Sequence, residues 1–100
     1  MTNEQFIASI EKTYADGVDI IKKKNADYAT SVDPFKNFRS AEVAGVSVPR
    51  AIIVRVLDKI SRIQNLLDKD PVVTGETRSD TITDAINYLA ILKAYLERTD

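Results

Sequence analysis

One hundred residues make one domain with a modest core. Hydrophobic residues are 44% and charged residues 29% of the chain, a globular balance, and a net charge of −1 gives no global pull towards nucleic acid or an anionic membrane. With neither cysteine nor histidine, the chain has no disulfide framework, no thiolate zinc site and no histidine base, so any metal would be a hard cation on carboxylate oxygens: Mg²⁺, Mn²⁺ or Ca²⁺.

No apolar run approaches the ~20 residues that span a bilayer. The N-terminus is polar and acidic, unlike a signal peptide, so the expected location is cytoplasmic. A first helix is expected from about Asn3 to Lys24. Thr2 and Gln5 form a capping-box pattern, and Ile7, Ile10, Tyr14, Val18 and Ile21 recur as one apolar stripe. Gly17 inside this helix costs about 1 kcal/mol relative to alanine.

From Asn25 to Ser47 the periodicity stops. Residues 25–34 are rich in turn formers, and Asp33-Pro34 reads as the start of a short helix in which Phe35 and Phe38 plug an apolar gap. Another turn over Ser40 to Ala44 is closed by Gly45. So long a connection in a small domain is often functional.

A second long helix is expected from Ser47 or Val48, with Pro49 in its first turn, to about Lys69, where Asp70-Pro71 stops it. Ile53, Val56, Ile60, Ile63 and Leu67 are its expected core stripe, widened by Leu57 and Leu66. Thr74-Gly75 turns the chain into a third long helix, about Ser79 to Arg98, with Ile82, Ile86, Leu89, Leu92 and Leu96 inward. The fold class is therefore all-α: an antiparallel helical hairpin plus an N-terminal helix. Tyr88, Ile91 and Tyr95 lie off the main stripe, which predicts a homo-oligomer, most simply a dimer with a four-helix core.

The second long helix also carries a polar stripe, Arg55, Asp58, Lys59, Arg62 and Asn65. Its counterpart is Asp80, Asp84 and Asn87, with Glu76 just upstream. A hairpin turning near Val73 sets Asn65 by Asp80, Arg62 by Asp84, and Asp58 or Lys59 by Asn87. Such a seam reads either as ion pairs that fix register or as a site, with Arg62 and Lys59 on phosphate oxygens and Asp80 and Asp84 on a cation or base edges. In the connection, Tyr28 can stack on a base and Lys24 or Lys36 can reach a phosphate. Phe35 and Phe38 read instead as core.

Four blocks in order carry a resemblance: Lys24-Asn25-Ala26-Asp27-Tyr28, then Asp33-Pro34-Phe35-Lys36-Asn37-Phe38, then Arg55 through Leu66, then Glu76 followed by Asp80 through Tyr88. Over roughly residues 22–97 the chain resembles a small phage and prophage family, the nucleotide-modification-associated domain. The resemblance implies a phage-encoded protein linked to nucleotide metabolism or DNA modification in the host cytosol. The hairpin is also distantly similar to MazG-like all-α nucleoside triphosphate pyrophosphohydrolases, whose paired acidic blocks bind Mg²⁺. Asp80-Thr81-Ile82-Thr83-Asp84 fits one block with Thr81 in place of an acid. At Asp58-Lys59-Ile60-Ser61-Arg62, two acids of the other block have become cations, which removes charge a metal needs and adds groups that bind phosphate.

The leading expectation is a non-catalytic binder of a nucleotide or nucleotide-derived signal, needing no cofactor and acting as a homo-oligomer; a phage would use it to sequester an immune signal. Its ligand residues would be Lys24, Asp27, Tyr28, Lys36 and Asn37 from the connection and Arg55, Asp58, Lys59, Arg62, Asp80, Asp84 and Asn87 from the seam. The alternative is a Mg²⁺-dependent nucleotide pyrophosphohydrolase with Glu76, Asp80 and Asp84 on the metal and Asp58 assisting. A third reading is a protein-interaction module docking through Tyr88, Ile91 and Tyr95. Double-stranded DNA binding ranks last, since neither net charge nor a basic face supports it.

Overall fold

The computed structural model describes residues 1–27, 33–69 and 77–99, with the side chains at 26 and 27 left aside. All elements among the described residues are helical. Helix α1 spans Asn3–Asp27 and runs slightly past its expected end. Its start is the reciprocal capping box: Thr2 N–H donates to Gln5 Oε1 at 2.9 Å, and Gln5 N–H donates to Thr2 Oγ1 at 3.1 Å. Helix α2 is the short Lys36–Arg39. Ahead of it, the Asp33 carboxylate accepts from Phe35 N–H at 3.0 Å and pairs with Arg39 Nε, clamping the turn from both ends. These two partners, Arg39 first and the Phe35 amide second, hold the Asp33 carboxyl below its ordinary pKa.

A 3-10 helix, Ser40–Ala44, follows and ends at Gly45, whose φ of 79° lets its N–H bond back to the Ala41 and Glu42 carbonyls. Helix α3 spans Val48–Leu67; Ser47 Oγ accepts from Arg50 N–H at 3.4 Å, and Pro49 occupies the first turn. The expected stop at Asp70-Pro71 and turn at Thr74-Gly75 lie outside the described residues. Helix α4 spans Arg78–Glu97, with Thr77 Oγ1 accepting from Asp80 N–H at 3.0 Å.

The principal helix contact is α3 on α4, and α1 rests on α4. Buried at the first contact are Val48, Ile52 and Leu66 of α3 with Thr81 and Ala85 of α4. The two small side chains on α4 allow close approach. Thr81 is wholly buried, and its hydroxyl donates to the Thr77 carbonyl at 3.3 Å. This corrects part of the expected core: Leu66 is buried as expected, and Val56, Ile63, Ile86 and Leu92 are half-buried. The large residues Ile53, Leu57, Ile60 and Leu67 of α3 and Ile82, Leu89 and Leu96 of α4 are 41–64% exposed.

Two further expectations are also revised. Tyr88 and Tyr95 are covered by the chain's own connection: Phe35 meets Tyr95 edge-on at 5.0 Å between centroids, and Phe38 meets Tyr88 at 6.1 Å. The Arg98 guanidinium lies 3.6 Å from the Tyr95 ring centroid. The role given to Phe35 and Phe38 is thus the one they fill, and it removes the tyrosines from the surplus apolar surface. On α1 the stripe Ile7, Ile10, Tyr14 and Val18 faces out rather than in. The helix instead docks through buried Gly17, whose carbonyl accepts from Asn87 Nδ2 at 3.2 Å. A Cβ at Gly17 would lie 2.7 Å from Asn87 Oδ1, so any larger residue would force the Asn87 amide to shift.

The resulting shape is open. The radius of gyration is 15.6 Å, where about 13 Å is usual for this length. The chain exposes 7700 Å², against about 5,700 Å² for a folded monomer of its mass. Among the described residues no helix is long and apolar enough to cross a membrane.

Candidate functional site

The polar stripe of α3 repeats at three- and four-residue steps, so Arg55, Asp58, Lys59, Arg62 and Asn65 lie along one side of that helix. Lys59 is the member that turns inward. Its Nζ lies 3.2 Å from Asp84 Oδ2 of α4, with both side chains half-buried and the lysine stem covered by the helix contact. The pair that Asp84 makes is thus one helical turn out of register with the expected Arg62–Asp84 facing. Arg55, Asp58, Arg62 and Asn65 stand exposed around it, as does Asp80 in the first turn of α4.

Asn87 is committed elsewhere. It spends its Nδ2 on the Gly17 carbonyl and so pins α1 to α4, instead of facing Asp58 or Lys59. Its half-buried position keeps it one turn beyond Asp84. Lys24 is exposed near the end of α1, and Asp27 closes that helix; Tyr28 and Glu76 lie outside the described residues. Lys36 and Asn37 are exposed on α2, and the Asn37 carbonyl accepts from Ser40 Oγ at 3.3 Å. Because Phe38 of α2 stacks on Tyr88, one turn from Asp84, α2 reaches α4 about 6 Å along the axis from the ion pair. The structure therefore joins Lys59 of α3 to Asp84 of α4 and seats α2 on α4 one turn further along.

Asp80 and Asp84 are one turn apart on α4, a spacing that can hold one cation. Lys59 already occupies Asp84, however, and among the described residues no three metal-ligating side chains cluster.

A groove of about 560 Å³ opens elsewhere, between α1 and the first turn of α4, lined by Thr13, Thr77, Arg78, Ser79, Ile82 and Thr83. No spacing in the sequence marks it, since it exists only because Gly17 seats α1 on α4. Its threonine hydroxyls are engaged with nearby backbone: Thr13 with the Ser9 carbonyl, Thr77 with Asp80 N–H and Thr83 with the Ser79 carbonyl. The seam, where charged groups converge with exposed faces, is the stronger candidate for polar recognition. No family model matches the chain, and no curated protein or solved structure matches it.

Proposed function

We propose that this chain is a non-catalytic nucleotide-binding protein whose site runs along the seam of an antiparallel α3–α4 hairpin. Two contacts support the antiparallel sense. Lys59 lies about two turns before the end of α3, and its partner Asp84 lies about two turns after the start of α4. At the other end, α2 leads through the 3-10 helix into the start of α3 while its neighbour Phe35 stacks on Tyr95 near the end of α4. In such a pair, residues displaced in the same rotational sense from the two contact lines emerge on one side. Measured from Ile52 and Leu66 on α3 and from Thr81 and Ala85 on α4, Arg55, Asp58, Arg62, Asp80, Asp84 and Asn87 turn the same way. Arg55, Asp58 and Arg62 thus share a face with Asp80, Asp84 and Asn87.

The observation that carries the reading is the run of Arg55, Lys59 and Arg62 on successive turns of α3, with carboxylates at hand on α4. Guanidinium groups suit the paired oxygens of a phosphate, and Lys59 can pass from Asp84 to an incoming anion. Asp80 and Asp84 then accept from a base edge, while Asn87 holds α1 beside the seam. In this reading Lys24, Asp27, Tyr28, Lys36 and Asn37 add charge and stacking from the connection. The resemblance to the phage family supports a phage-encoded protein in the host cytosol, and a homo-oligomeric, non-catalytic binder there serves to sequester a nucleotide-derived immune signal. Calorimetric titration with nucleotides tests this. Arg55→Ala and Arg62→Ala each remove a charge-assisted hydrogen bond and weaken binding by roughly tenfold or more. Tyr28→Ala weakens it by loss of stacking. Unchanged affinity in all three variants removes the reading.

A second reading, Mg²⁺-dependent pyrophosphate release, is favoured by one observation, the Asp80–Asp84 pair one turn apart. It requires Asp84 to leave Lys59 for a cation. An assay that finds no pyrophosphate from canonical or modified nucleotides with Mg²⁺ or Mn²⁺ eliminates it.

A further inference from the structure

We infer that the face of the hairpin opposite the seam is a docking surface for a second copy of this chain. The inference rests on the antiparallel sense of α3 and α4 but not on nucleotide binding.

Apart from Val54, the exposed large residues of the two helices are not scattered. Ile53, Leu57 and Ile60 of α3 lie about 100° round from the contact line, and Ile82, Leu89 and Leu96 of α4 lie about 80° round in the same sense. They therefore emerge together, on the side away from Arg55, Asp58 and Asp80. Hairpin faces thus differ, one carrying the charged seam and the other the large apolar residues, with Arg78 and Lys93 at its edges. Steps of three, four and seven residues keep each stripe straight along helices of 20 residues.

The area identifies the occupant. The chain exposes 7700 Å², about 2,000 Å² more than a monomer of 11.1 kDa should. The outward stripe of α1 shares in that excess, and a dimer hiding half of it or more on both partners would bury about 2,000–4,000 Å², within the range of obligate homodimers. Apolar side chains fully buried within one chain are few among the described residues: Val48, Ile52, Leu66 and Ala85. A core that small needs completing. A face carrying two parallel-running apolar stripes is complementary to itself under a twofold rotation, and pairing two such hairpins makes a four-helix core. The interface so defined differs from one built on Tyr88 and Tyr95, which the chain covers with its own phenylalanines.

Sedimentation equilibrium of the full chain without nucleotide is the test. A mass at a multiple of 11.1 kDa is expected for the unmodified chain, and 11.1 kDa for Leu57→Glu and Leu89→Glu. Val43→Glu, on the 3-10 helix and away from both stripes, keeps the higher mass. Because a glutamate could unfold the chain, a gentler probe accompanies it. The chain has no cysteine, so Leu57→Cys and Val43→Cys each carry a unique thiol. The thiol at 57 should react with a bulky maleimide about tenfold more slowly than the thiol at exposed 43, as a group released only by transient opening does. A monomeric unmodified chain, or equal labelling rates at the two positions, overturns the inference. A nucleotide-binding monomer would sink this proposal and leave the seam intact.

Discussion

Gly17 and Asn87 offer a sign reversal that tests how α1 is held. Gly17→Ala in an ordinary helix gains about 1 kcal/mol of helix propensity. Here the new Cβ would lie 2.7 Å from Asn87 Oδ1, and the amide, tied to the Gly17 carbonyl at 3.2 Å, would have to swing away. That loses a hydrogen bond of about 0.5–1.5 kcal/mol and leaves a half-buried amide underpaired, at a further cost of about 1 kcal/mol. The substitution should therefore destabilise by about 1 kcal/mol. Asn87→Ala removes the obstruction along with the bond. In that background Gly17→Ala should stabilise by about 1 kcal/mol, a coupling of about 2 kcal/mol between contacting residues. Urea unfolding of the four proteins at one fixed concentration, followed by far-ultraviolet circular dichroism, reads the cycle. Stabilisation by Gly17→Ala of equal size in both backgrounds would refute the Gly17–Asn87 docking of α1.

Three other outcomes follow from local geometry. Ile52→Ala, at a wholly buried position, should cost about 2–5 kcal/mol in urea unfolding, while Val43→Ala, almost fully exposed, stays within about 0.5 kcal/mol. Gly45→Ala meets no neighbour but forces a side chain into φ 79°, so it should cost about 1–2 kcal/mol of backbone strain, checked the same way. The Asp33 carboxyl is held below its ordinary pKa, so the stability it lends is complete above the unfolded value of about 3.9 and fades as pH falls from there through the lower folded value. Asp33→Asn should accordingly lose less stability than the parent on acidification across that window, and identical acid limbs in pH-dependent thermal melts would contradict it.

What was legible in the sequence was local. Thr2 with Gln5, Ser47 with Pro49, and Gly45 each act within one turn, so their residue types fix helix ends without reference to the rest of the fold. Which face turns inward was not legible. Helix α3 is apolar over two adjacent stripes, and a periodicity reading takes in both Leu66, which is buried, and Ile53, Leu57, Ile60 and Leu67, which are left outside. The true contact uses Thr81 and Ala85, whose value is small size rather than hydrophobicity. Gly17 read as a weakness of α1 and is its point of attachment, because the partner, Asn87, lies far along the chain. The seam was legible as a pattern of charge. Its register was not, because it depends on the link between α3 and α4, and Lys59 rather than Arg62 meets Asp84.

The most direct measurement of the central claim is a thermal-shift comparison at fixed protein concentration, with nucleotides and cyclic nucleotide signals in the presence and absence of Mg²⁺. A nucleotide at 100 times its dissociation constant stabilises by about 2.7 kcal/mol, which for a chain of this size raises the midpoint by roughly 10 °C or more. The account predicts such a shift without metal, diminished in Arg55→Ala and Arg62→Ala. No shift with any nucleotide, under either condition, would contradict it and leave Lys59–Asp84 as a structural ion pair.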